Sequence, residues 1–126
     1  MNIIYENSKE KLMNIVIIEQ NKIFRESLRT ALKQIPGFNI VFDSDNNACF
    51  DILSDQQIQL ILIDNNITKS KCIEIKKKAL VLWPSVKFLI LTSFKKEECN
   101  IDLDRATNVI LKNSSKNEFE NRIREL

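Results

Sequence analysis

The chain has 126 residues, 44% of them hydrophobic, with a formal net charge of +2. That length suits one domain with a real core, and the near balance of charge argues against an electrostatic nucleic-acid footprint. Histidine is absent and glycine occurs once, at Gly37, which excludes a histidine-based nucleophile relay within the chain and the glycine-rich phosphate cradles of nucleotide-binding folds.

Residues 1–12 read as a polar, aperiodic N-terminal extension, and Met13 stands immediately before the first strand. The first strand is Ile15-Val16-Ile17-Ile18, ending before Glu19. Asn21 can cap a helix whose apolar stripe is Phe24, Leu28, Ala31, Leu32 and Ile35, closed by Pro36-Gly37. Phe38 to Phe42 predicts a second, edge strand, and Asp43 to Asn47 a turn. A short helix is expected next, with Cys49, Ile52 and Leu53 facing inward.

The third strand, Leu60-Ile61-Leu62-Ile63, stops at Asp64. After a polar loop from Asn65 to Ser70, Cys72, Ile75, Ala79 and Leu82 define a helix stopped by Pro84. The fourth strand, Phe88-Leu89-Ile90-Leu91, stops at Thr92. Lys95 to Arg105 is poorly patterned and predicts a short helix on a thin stripe of Cys99 and Leu103. The fifth strand, Val109-Ile110-Leu111, stops at Lys112. Ser115 and Glu118 form a capping-box pattern ahead of a final helix marked by Phe119, Ile123 and Leu126.

Five strands alternating with helices imply an α/β domain with a parallel sheet covered on both faces, spanning residues 13–126. Cys49, Cys72 and Cys99 have neither metal-type spacing nor a disulfide pattern, so reduced thiols in a cytoplasmic protein are expected. No run is long enough to span a membrane, and no secretory signal is visible.

Four of the strands end on a residue capable of chemistry. Ligands of open parallel sheets bind outside the carboxyl ends of the strands, so Glu19, Asp64, Thr92 and Lys112 define a candidate site. An acidic residue after a strand is often only a turn former or helix cap; four matching ends weigh against that explanation here. Two carboxylates brought together raise the cost of ionising each other, and a divalent cation or the Lys112 ammonium relieves it. Oxygen-only ligands of this type suit Mg²⁺. A carboxylate can also attack phosphorus and form an aspartyl phosphate, with Thr92 as hydroxyl donor and Lys112 as cation around the transferred oxygens.

These residues resemble the site of response-regulator receiver domains of two-component signalling, over Met13 to Leu126. Ile23-Phe24-Arg25-Glu26-Ser27-Leu28 is similar to the subgroup that carries a LuxR-type helix-turn-helix after the receiver. The resemblance implies a flavodoxin-like, doubly wound sheet in the order 2-1-3-4-5. It implies phosphorylation of Asp64 by a histidine kinase, Mg²⁺ held by Glu19, Asp64 and the backbone carbonyl of Asn66, and no turnover enzyme. It also implies a switch, and a homodimer, through the segment Lys95–Arg105, the fifth strand and the final helix. DNA would be reached only through an effector domain beyond Leu126.

Three departures stand out. Gln20 replaces the second of two adjacent acids and removes a charged metal ligand. Ile67-Thr68-Lys69 replaces a Met-Pro-Gly turn, and Val109 replaces the switch aromatic. They motivate an alternative, a pseudo-receiver that binds partners without phosphorylation. A remoter alternative is a phosphatase of the haloacid-dehalogenase type, for which Asp64-Asn65-Asn66-Ile67-Thr68 offers a partial motif. It lacks the second acid, since Asn66 stands there.

Overall fold

A computed structural model describes residues 12–93 and 108–126. All but the last residue of the expected extension, and all of the Lys95–Arg105 helix, lie outside the described residues. Five strands form one parallel sheet: β1 (Met13–Ile18), β2 (Phe38–Ser44), β3 (Leu60–Asp64), β4 (Lys87–Thr92) and β5 (Asn108–Leu111). Their order is β2-β1-β3-β4-β5, the doubly wound order expected.

The central strands are continuous apolar runs because both of their faces are covered. Successive side chains alternate between two cores. Val16, Ile18, Ile61, Ile63 and Ile90 pack with Phe50, Ile75 and Trp83 on one face. Ile15, Ile17, Leu60, Leu62, Leu89 and Leu91 pack with Leu28, Leu32, Phe119 and Ile123 on the other.

Helix α1 (Lys22–Lys33) begins where the Asn21 side chain accepts from the Phe24 amide at 2.9 Å. Beyond it the chain reverses at Gly37, whose φ of 87° is the left-handed region closed to most residues. The Gly37 carbonyl accepts from the Met13 amide at 2.7 Å, which ties this turn to the start of β1. Gly37→Ala is expected to cost roughly 1–2 kcal/mol. A fall in the urea midpoint with an unchanged m-value checks this.

Helix α2 (Lys69–Leu82) is capped by Thr68 and buries Cys72, Ile75 and Ala79. It ends at Trp83, whose φ of −136° and ψ of 85° leave the helix, as the following Pro84 disfavours a further helical residue. Helix α3 (Lys116–Arg124) starts with the capping box foreseen at Ser115 and Glu118 and buries Phe119 and Ile123. Leu126 and Leu82, assigned to inward stripes, are only half-buried.

Two local expectations are corrected. The helix expected around Cys49–Leu53 is a single 3₁₀ turn, Ala48–Phe50, followed by further turns. Ile52 is 73% exposed, whereas Phe50 and Leu53 are buried. Phe50 anchors this segment: its ring meets Trp83 edge-on at 5.3 Å, and the Trp83 indole donates to the Gln56 carbonyl at 2.6 Å. An aromatic anchor at one point and a hydrogen bond at another hold the backbone without a regular helix. Strand β2 also runs two residues further than expected, to Ser44. A bulge shifts its register against β1 between Ile15 and Val16, so Asp43 lies opposite Ile17.

Candidate functional site

The sheet order places the ends of β1 and β3 side by side, with β4 and then β5 beyond. Glu19 follows β1, Asp64 ends β3, Thr92 ends β4 and Lys112 follows β5. The Lys112 ammonium lies 2.9 Å from Asp64 Oδ1 and 2.9 Å from Glu19 Oε1. It therefore bridges the two carboxylates across the gap left by β4. Glu19, Asp64 and Thr92 are fully buried. The Lys112 backbone amide donates to the Thr92 carbonyl at 2.7 Å, which fixes the root of the lysine against β4. Its ammonium also stands 5.3 Å from the centre of the Phe24 ring, a favourable place for a cation.

Backbone amides complete the Asp64 shell. Asn66 donates to Oδ1 at 2.9 Å and Gln20 donates to Oδ2 at 3.2 Å. Gln20 thus joins the site through its backbone, as does Asn66. The Asn21 amide donates to Glu19 Oε2 at 2.8 Å.

The two carboxylates diverge electrostatically. Burial pushes the Glu19 carboxyl up, and the Lys112 ammonium beside it and the bond from the Asn21 amide do not offset it. Burial also raises Asp64, but the Asn66 amide, the Lys112 ammonium and the Gln20 amide together hold it below its ordinary value. Burial disfavours the Lys112 charge, yet its bonds to Asp64 and Glu19 raise its value. Asp64 therefore keeps its charge while Glu19 is the readier of the two to take a proton. Pairs of titratable groups driven apart in this way are a mark of functional sites.

Several supporting residues were not evident in the sequence. Arg25 donates to the Glu19 carbonyl at 2.6 Å and pairs with Asp43 at 3.2 Å, while Arg29 pairs with Asp43 at 2.9 Å. In the sequence Arg25 stands out only within the Ile23–Leu28 stretch of the resemblance, with no role of its own; its partner Asp43 reaches it through the β2 bulge. Phe24, expected in the apolar stripe of the first helix, is half-buried beside Lys112. Asn65, assigned to a polar loop, is 1% exposed. Its side-chain amide donates to Thr92 Oγ1 at 3.3 Å.

The donors fit a hard divalent cation. Glu19 Oε1 is ion-paired with Lys112, but it is buried without a directed hydrogen bond. Two carboxylates against one ammonium leave a net negative charge when both are ionised. Mg²⁺ binds through one or two carboxylates and keeps several waters, so a dense cage is unnecessary. Among the described residues no group of three or more His, Cys, Asp or Glu gathers. Glu19, Asp64 and the Asn66 carbonyl are the residues that would hold it. Beside them lies an open cleft of about 490 Å³, lined by Asn21, Phe24, Asn66, Ser93, Lys112 and Asn113.

A five-stranded parallel sheet in this order is the fold of response-regulator receiver domains, and this chain has that fold. Among known proteins it is 30% identical over 88 residues to the transcriptional regulatory protein DegU of Brevibacillus brevis, a match covering 69% of this chain and 37% of that protein. The chain thus spans little more than a third of the curated relative it matches. Its fold is similar to a chain in the crystal structure of the P1 domain of CheA3 in complex with CheY6 from R. sphaeroides, with a TM-score of 0.71 and 22% identity, covering 90% of this chain and 95% of that one. It is also similar to the non-phosphorylated receiver domain of the stress response regulator RcsB from Escherichia coli, with a TM-score of 0.67 and 16% identity over 90% and 91% of the two chains. No family model matches the chain. No helix among the described residues is long and apolar enough to cross a membrane.

Proposed function

We propose that the chain is a phosphoacceptor domain that takes a phosphoryl group on Asp64 from a histidine kinase. The observation that carries this reading is the buried Asp64 carboxylate, held charged by two backbone amides and the Lys112 ammonium. A charged carboxylate in a desolvated pocket is the form that can attack phosphorus.

In the proposed transfer, an Asp64 oxygen forms a bond to phosphorus as the bond from phosphorus to the donor imidazole nitrogen breaks. The leaving imidazole keeps that electron pair and ends as neutral imidazole after protonation from solvent. Lys112 offsets charge on the transferred oxygens, and the Thr92 hydroxyl donates to one of them. Mg²⁺, when bound by Glu19, Asp64 and the Asn66 carbonyl, supplies further charge neutralisation. The product is a modified protein rather than a released compound, so the domain is a phosphoacceptor and not a turnover enzyme.

The output is proposed to be a change in protein contacts, including a homodimer formed through 95–105, β5 and α3. Transcription control would follow through an effector domain elsewhere in the protein, as the name of the Brevibacillus brevis relative suggests. A cytoplasmic location agrees with this role. Gln20, neutral where an acid would strengthen cation binding, favours a second reading: partner binding without phosphorylation.

Incubation with acetyl phosphate and Mg²⁺ separates the two. Intact-mass measurement is expected to show the gain of one phosphoryl group on the wild type and none on Asp64→Asn. Equal silence from both would leave the phosphorylation-independent module. Steady release of phosphate from a small phosphomonoester, lost in Asp64→Asn, would instead mark the phosphatase.

A further inference from the structure

Asn65 has no assigned task, yet its side chain sits in an unfavourable place. It is 1% exposed, and its Oδ1 has no hydrogen-bond partner among the described residues. A buried carbonyl left unpaired is destabilising, and an apolar residue of similar size would avoid that loss. What the amide does make is one contact with the proposed site, from Nδ2 to Thr92 Oγ1 at 3.3 Å.

The strand register explains the encounter. Asp64 lies opposite Leu91 in the β3–β4 ladder, so the next residues along, Asn65 and Thr92, stand opposite each other. The Asn65 backbone amide donates to the Leu91 carbonyl at 2.8 Å, which extends the ladder one step and fixes the asparagine beside the threonine. Because the amide donates, Thr92 Oγ1 is the acceptor in this bond. A hydroxyl held as an acceptor directs its own hydrogen elsewhere.

We infer that Asn65 is a positioning residue, orienting the Thr92 hydroxyl to donate to a phosphoryl oxygen on Asp64. The inference rests on the phosphoacceptor reading above. It makes a signed demand: removing the amide weakens phosphoryl binding while leaving stability unchanged or improved. A residue serving only to pack would show both quantities falling together.

The test is a double-mutant cycle read by the affinity for beryllium fluoride, a phosphoryl mimic, in the presence of Mg²⁺. Asn65→Leu should weaken binding roughly two- to tenfold, the range carried by one ordinary hydrogen bond. Thr92→Val should also weaken it. In the Thr92→Val background, Asn65→Leu should have no further effect. Thermal unfolding of each variant supplies the stability arm, and Asn65→Val replaces Asn65→Leu if the latter does not fold. Unchanged affinity in Asn65→Leu, or an equal loss in both backgrounds, would overturn the assignment while the phosphoacceptor reading stands. A wild type that binds no beryllium fluoride at all would overturn both.

Discussion

Replacing Lys112 by methionine is expected to cost about 3–5 kcal/mol of folding stability at neutral pH, the usual result of removing one partner from a buried charge cluster. Methionine keeps the length and apolar stem of the lysine, so packing beside Phe24 changes little. What disappears is the ammonium 2.9 Å from each of two fully buried carboxylates. The Lys112 side chain is only 13% exposed, so solvent screening offsets little of the loss.

The pH dependence separates charge from packing. In the wild type, the depressed Asp64 value contributes stability above the unfolded carboxyl value, and this is lost as pH falls through the folded value. The raised Lys112 value contributes stability below its unfolded value, lost in alkali as pH rises through the folded one. Glu19 works against folding as pH rises past its unfolded value, because its folded value is raised. Without the ammonium both carboxyls move up, and their mutual repulsion is worst where both would be ionised. The stability gap between wild type and Lys112→Met is therefore expected to narrow from neutral pH to about pH 4, near the ordinary carboxyl range. Urea titrations at both pH values measure it. A gap independent of pH would mean that the lysine stem, rather than its charge, supports the fold.

Most of this architecture was legible in the sequence because strong, simple forces write it there. A strand buried on both faces needs an unbroken apolar run, and the three central runs end within one residue of the strand ends at Ile18, Asp64 and Thr92. Caps at Asn21 and Ser115 are equally local, since the residues that meet are only three apart. The candidate site followed from the parallel sheet alone: strand ends share one edge, so Glu19, Asp64, Thr92 and Lys112 are expected together before any strand order is.

What escaped depends on contacts between distant residues. The exposure of Ile52 is set by Phe50 docking on Trp83, more than thirty residues away in the chain. The Arg25–Asp43 pair depends on a bulge that no residue pattern in β2 announces. Asn65 looked like a loop residue because polar side chains after a strand usually are. Its burial comes from the ladder continuing one step past Asp64, a matter of register rather than composition.

Gln20→Asp is expected to raise the affinity for Mg²⁺ roughly ten- to a hundredfold, since an interaction with a charged group is worth about 1.5–3 kcal/mol. The residue already lies at the site, its backbone amide bound to Asp64 Oδ2. The same substitution adds a third carboxylate beside Glu19 and Asp64, so it should destabilise the metal-free domain through like-charge repulsion. Saturating Mg²⁺ should then restore stability more strongly in the variant than in the wild type, because a ligand that binds only the folded state stabilises it in proportion to its affinity. Calorimetric titration at fixed ionic strength gives the affinity, and thermal unfolding with and without Mg²⁺ gives the linkage. If affinity is unchanged while metal-free stability falls, the side chain at position 20 reaches the carboxylates but not the cation. The cation would then be held by Glu19, Asp64 and the Asn66 carbonyl alone, and the glutamine would cost this domain nothing in metal binding.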